Sequence, residues 1–61
     1  MKEVIYMVLE RETKGAVRYQ EVDSDGKVKT IEDYTIGTLY VRKSALEGKV
    51  PQKLTLTVEA S

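Results

Sequence analysis

Glycines fall at positions 15, 26, 37 and 48, one every eleven residues, and Pro51 follows the last of them. Short runs between turn signals at that interval are the mark of an all-β chain. The runs are rich in Val, Ile, Thr and Tyr, side chains that suit a pleated, half-buried surface. A helix over residues 3–14, ending before Gly15, is the competing reading. Its apolar positions are contiguous rather than spaced at helical period, so length and β-branching favour a strand.

Two of the turns can be tested by pairing. If Ser24-Asp25-Gly26 is a three-residue hairpin loop, Gly26 takes the left-handed conformation such loops need. Asp23 then faces Lys27, Val22 faces Val28, Glu21 faces Lys29, Tyr19 faces Ile31 and Arg18 faces Glu32. Opposite charges and apolar partners meet, the arrangement from which sheets gain cross-strand energy. Thr13-Lys14-Gly15, treated the same way, sets Leu9 against Tyr19 and Glu10 against Arg18. Residues 3–34 are thus expected to form a three-stranded antiparallel meander.

Two further strands are expected. Thr38 to Lys43 reads TLYVRK, and Gln52 to Ala60 alternates Leu54, Leu56, Val58 and Ala60 with Thr55, Thr57 and Glu59. That alternation describes a strand with one wet side. Between them lies SALEGKVP, with Ser44 as a helix N-cap and Gly48 and Pro51 as stops, room for one helical turn. The expected architecture is a small five-stranded antiparallel sheet, closed as a barrel or completed by strand exchange in a homodimer.

The first strand bears on that choice. Ile5, Met7 and Leu9 occupy one face and Val4, Tyr6 and Val8 the other, so both faces ask for cover. Val22, Val28 and Tyr34 join the second face. A chain of 61 residues buries only about 60% of its unfolded surface and usually needs a staple. Cysteine and histidine are both absent, which removes disulfides and the usual zinc sites. A second copy of the chain is the remaining device, with Val4, Tyr6, Val8, Val22, Val28 and Tyr34 as the expected dimer interface.

Ten basic and ten acidic residues cancel, so no global field draws the chain to nucleic acid or membrane. The longest apolar run, Val4 to Leu9, is far short of the roughly 20 residues that span a bilayer. A soluble, cytoplasmic protein with no membrane partner is expected. Without His or Cys, and with no serine beside an evident base, an enzyme is not expected. Neither is a small-molecule substrate or a cofactor, since so short a chain leaves little volume for a pocket.

Residues 21–32, EVDSDGKVKTIE, resemble an EF-hand calcium loop. Acids stand at its first, third and fifth places, Gly at the sixth, an apolar residue at the eighth and Glu at the twelfth. The resemblance would make ligands of Glu21, Asp23, Asp25, Glu32 and the Lys27 carbonyl. Three features depart from it: Glu stands at the first place, Lys29 at the ninth, and the flanking sequences do not read as helices. A hairpin tip with acidic turn residues explains the same spacing, and no metal is expected.

Charge is segregated even though it sums to zero. Residues 42–53, RKSALEGKVPQK, carry Arg42, Lys43, Lys49 and Lys53 against Glu47, a local charge of +3, with Tyr40 alongside. Residues 1–41 sum to −2. A binding protein contacting the phosphates of DNA or RNA through Tyr40, Arg42, Lys43, Lys49 and Lys53 is the leading functional expectation. A protein-interaction or dimerisation module is the alternative. TLYVRKSALEGKVPQKLTLTVE is similar in outline to the AbrB-like swapped-hairpin DNA-binding proteins: a strand, a basic residue, a short helix ending near Leu-Gly and a second strand. Arg42 and Lys43 stand where that family has a proline after the first strand. The resemblance implies a hairpin of the two strands and a DNA-binding dimer.

Overall fold

In the computed structural model, which describes residues 1–61, the chain forms four strands: β1 (Lys2–Glu12), β2 (Ala16–Val22), β3 (Thr38–Arg42) and β4 (Lys53–Glu59). They make one curled antiparallel sheet in the order β3-β2-β1-β4. Three consecutive strands lie side by side, and the fourth returns to pair with the first, which is Greek-key order. The all-β expectation holds, but the strands number four rather than five. β3 and β4 are the two edges, so the sheet does not close as a barrel, and each strand finds its neighbour in its own chain. Being at opposite edges, β3 and β4 also do not form the hairpin that the AbrB-like outline implies.

The β1–β2 hairpin keeps the expected pairing of Leu9 with Tyr19, by a different route. The turn is tighter than expected: Thr13 bonds Ala16 through both its backbone and its hydroxyl, leaving only Lys14 and Gly15 between them. A bulge between Leu9 and Arg11 then restores the register, with Arg11 facing Arg18 and Glu12 facing Val17. One residue fewer in the turn and one more in the strand cancel. The bulge also explains how Glu10 still reaches Arg18, with Oε1 3.3 Å from Nε.

Residues 27–34, expected as the third meander strand, are not one. The hairpin tip begins as expected: Asp23 and Lys27 are bonded, Gly26 has φ +87°, and Val22 bridges Val28. The ladder then stops. Ile31 is 83% exposed instead of facing Tyr19, and Glu32 does not meet Arg18. Thr30 and Asp33 close a turn, and β3 takes the vacant column, with Leu39 facing Tyr19 and Tyr40 facing Arg18.

Glu21 supplies the reason. Its side chain is fully buried on the inner face, opposite Met7. Oε1 accepts the backbone N–H groups of Thr35, Ile36 and Gly37 at 3.0, 2.8 and 3.0 Å, and Oε2 accepts Lys29 Nζ at 2.7 Å. Residues 35–37 wrap around this carboxylate and cannot lie flat in a strand. Burial by itself would raise the carboxyl's pKa. The Lys29 ammonium and the three N–H groups outweigh it and hold the pKa at about 2. The same contact raises the pKa of Lys29.

The core lies on the inner face. Ile5, Met7, Val17 and Tyr19 are buried, with Leu9, Leu39, Val41, Leu54, Leu56 and Val58 packed around them. Each fully buried side chain of this size contributes about 1.5–3 kcal/mol. The connection 43–52 crosses this face and adds Leu46 and Val50. It begins as overlapping turns from Arg42 to Gly48, with Glu47 and Gly48 at φ +56° and +79°, in place of the expected helical turn at Ser44. Its far end is pinned where Tyr19 donates its hydroxyl to the Pro51 carbonyl at 2.8 Å.

Candidate nucleic-acid interface

Strand alternation decides what the outer face carries. Since Ile5, Met7, Val17 and Tyr19 point inward, their neighbours Val4, Tyr6, Val8, Arg18 and Gln20 point outward. Paired residues share a face. The register therefore adds Tyr40, opposite Arg18, Arg42, opposite Ala16, and Lys53, opposite Val8. At one end of the sheet this face becomes basic. Arg11 faces Arg18, Tyr40 lies beside Arg18 on the edge strand, and Arg42 follows on that edge.

Two like charges directly opposite destabilise a sheet. Glu10, brought round by the bulge, offsets the Arg11–Arg18 juxtaposition. The Arg18 guanidinium lies over the Tyr40 ring, 5.9 Å from its centroid. Its Nε is close to Glu10 but not aligned for a hydrogen bond, so that buried N–H has no acceptor. Tyr40 itself is 54% exposed. The outcome is an open aromatic ring backed by one guanidinium, with Arg42 two residues along the same edge and Arg11 one strand beyond Arg18.

The expected binding residues are thereby divided. Tyr40, Arg42 and Lys53 lie on the outer face. Lys43 turns away and pairs with Glu12, Nζ to Oε1 2.6 Å. Lys49 is exposed on the connection that covers the inner face. Arg11 and Arg18 join the patch, Arg18 in addition to its expected place as a ladder partner of Glu10. The register of the first hairpin was the signal that could have found both.

The expected interface residues are divided as well. Val4 and Tyr6 are on the outer face, 52% and 46% exposed, with Val8 half-buried beside them. Val22 is buried at the foot of the hairpin tip, and Val28 is exposed on it. Tyr34 is half-buried, its hydroxyl accepting Gln20 Nε2 at 2.8 Å. A shallow depression of about 220 Å³ separates the tip from the sheet, lined by Tyr6, Val8, Val22, Asp25 and Lys53 among others.

Two acids of the calcium-like loop, Glu21 and Asp23, face their own chain, while Asp25 and Glu32 are exposed. Glu21 is buried among the donors described above, and Asp23 Oδ1 accepts the backbone N–H groups of Asp25 and Lys27 at 2.9 and 3.0 Å. Asp23 is thus the cap of its own turn. No helix is long and apolar enough to cross a membrane. Comparison with protein-family models, curated proteins and solved structures found no match to this chain.

Proposed function

We propose that this chain is a small non-enzymatic protein that binds nucleic acid on the outer face of its sheet, using Tyr40, Arg18, Arg42 and Arg11. The observation that carries the reading is the guanidinium of Arg18 over the exposed ring of Tyr40 among further basic side chains. An exposed ring is a stacking surface for an unpaired base, and neighbouring cations neutralise phosphates. Single-stranded DNA or RNA presents both to an open sheet face. The contact moves from the 42–53 loop to the sheet, with Lys43 and Lys49 outside it.

Anisotropy of a labelled single-stranded oligonucleotide tests this. Binding is expected to fall steeply with salt. Tyr40→Ala lowers affinity by about 5- to 100-fold, the size of one base stack. Arg42→Ala weakens binding and flattens the salt slope by about one phosphate's worth. Lys49→Ala leaves binding unchanged. Absence of binding at low salt, or binding indifferent to both salt and Tyr40, refutes the reading.

One observation favours a second reading, a protein-interaction or dimerisation surface. Val4 and Tyr6 stay about half exposed on a central strand, where apolar side chains are ordinarily covered. A partner seated on Val4, Tyr6 and Val8 would hold at high salt and be lost in Tyr6→Glu.

A further inference from the structure

The free edge of β4 is the least protected part of the sheet. Its β1 side is occupied: the bonds from Leu9 N–H to the Gln52 carbonyl and from Ala60 N–H to the Met1 carbonyl bracket the pairing. In an antiparallel ladder, alternate residues point their backbone groups at the neighbour. Gln52 and Ala60 point at β1, so Leu54, Leu56 and Val58 do too. Lys53, Thr55, Thr57 and Glu59 therefore direct their N–H and C=O groups away from the sheet. Natural edges are blunted by central charges, prolines, bulges or brevity. β4 runs seven residues with none of these between Leu54 and Val58. β3, the other edge, is five residues long and ends on Arg42, with Lys43 directly after it.

We propose that a second copy of this chain covers that edge, with β4 paired antiparallel to itself about Leu56. The strand is self-complementary in that register. Lys53 faces the partner's Glu59, Leu54 the partner's Val58, Thr55 the partner's Thr57, and Leu56 its own copy. The pairs made by Lys53, Thr55, Thr57 and Glu59 are those whose backbone groups point outward, so hydrogen-bond phase and side-chain match agree. Shifting the pairing by two residues either way separates Lys53 from Glu59. One such shift sets Glu59 against Pro51, which has no N–H to give. Leu54, Leu56 and Val58, half-buried in one copy, would continue the inner apolar face across the two-fold axis. Both outer faces then lie on one side of an eight-stranded sheet. This pairing is independent of the nucleic-acid reading, and it differs from a dimer seated on the outer face.

Sedimentation of the full chain at tens of micromolar tests it. The wild type is expected to dimerise, with Thr55 and Thr57 amide exchange slowing as concentration rises. Thr57→Pro, which removes an outward N–H and no bond to β1, is expected to be monomeric. Lys53→Glu and Glu59→Lys each weaken the dimer about tenfold, since each sets like charges opposite twice per dimer; Glu59→Lys is made together with Lys2→Glu, because Lys2 faces Glu59 within the chain. The double exchange restores it. Should Thr57→Pro not fold, the charge exchange and the amide exchange decide alone. A wild type that stays monomeric overturns the proposal. So does a charge exchange without rescue. A dimer that survives Thr57→Pro but is lost in Tyr6→Glu assigns the contact to the outer face instead and also overturns it.

Discussion

Replacing Glu21 by Gln tests the reason given for the shape of residues 29–37. The substitution keeps size and an acceptor oxygen but removes the charge that faces Lys29 and the three backbone N–H groups. Holding the carboxyl at about 2 instead of 4.5 corresponds to about 3 kcal/mol, at roughly 1.4 kcal/mol per tenfold change in proton affinity. Domains of this size are stable by only about 3–9 kcal/mol in total, so one carboxylate carries a large share. Because the folded-state value is depressed, the contribution is complete above the unfolded value near 4.5. It is lost as pH falls from there towards about 2. Urea unfolding followed by circular dichroism measures it. At pH 7, Glu21→Gln is expected to be about 2–3 kcal/mol less stable than wild type. The gap between the two should narrow steadily between pH 5 and pH 2. Equal stability at pH 7, or a gap that does not change with pH, refutes the account.

Three further outcomes follow from the packing. Tyr19→Phe deletes the bond to the Pro51 carbonyl and is expected to cost about 1 kcal/mol, read from the urea midpoint, with faster amide exchange in residues 49–52. Gly37→Ala forces a side chain onto φ +94°, with its Cβ 3.2 Å from the Tyr34 ring, and should cost upwards of about 1 kcal/mol. The Gln20–Tyr34 contact should be disturbed in NMR spectra of that variant. Ile5→Ala empties a fully buried site, and a loss of about 2–5 kcal/mol leaves the chain largely unfolded in a thermal melt.

The parts of the fold legible in the sequence were those that adjacent residues dictate. Alternation gave β4, and two turn signals placed the hairpin tips, the one at 23–27 as expected and the first one residue tighter than the expected 13–15 loop. Their cross-strand matches gave Leu9 with Tyr19, Val22 with Val28 and Glu21 with Lys29, all present. The third column of the sheet was not legible. Residues 28–34 match β2 about as well as residues 38–42 do, and the choice between them is made by a buried carboxylate. Propensity has no sign for a Glu that turns inward and gathers backbone donors. The bulge at Glu10 was hidden for a different reason: it offsets the short turn, so the pairing beyond it looks regular. The same concealment divided the candidate site. Tyr40 and Arg42 stood out by composition, whereas Arg11 and Arg18 reach the patch only through the register. Lys43 and Lys49, neighbours of Arg42 in sequence, leave the face because the connection turns across the other side.

The crossing connection also sets the order in which the sheet can assemble. β1 and β2 are joined by a short turn, so their pairing costs little loop entropy and can form early. β4 must find β1 across some fifty residues of intervening chain, from Lys2 to Glu59 at the extreme. Pairings that distant make folding slow for so short a protein. The Tyr19–Pro51 bond holds the connection just where β4 begins, so it is expected to form with that late pairing. Its loss in Tyr19→Phe should therefore quicken unfolding and leave the folding rate nearly as it was. In kinetic terms, a hydroxyl at the centre of the sheet acts as a latch on its last strand.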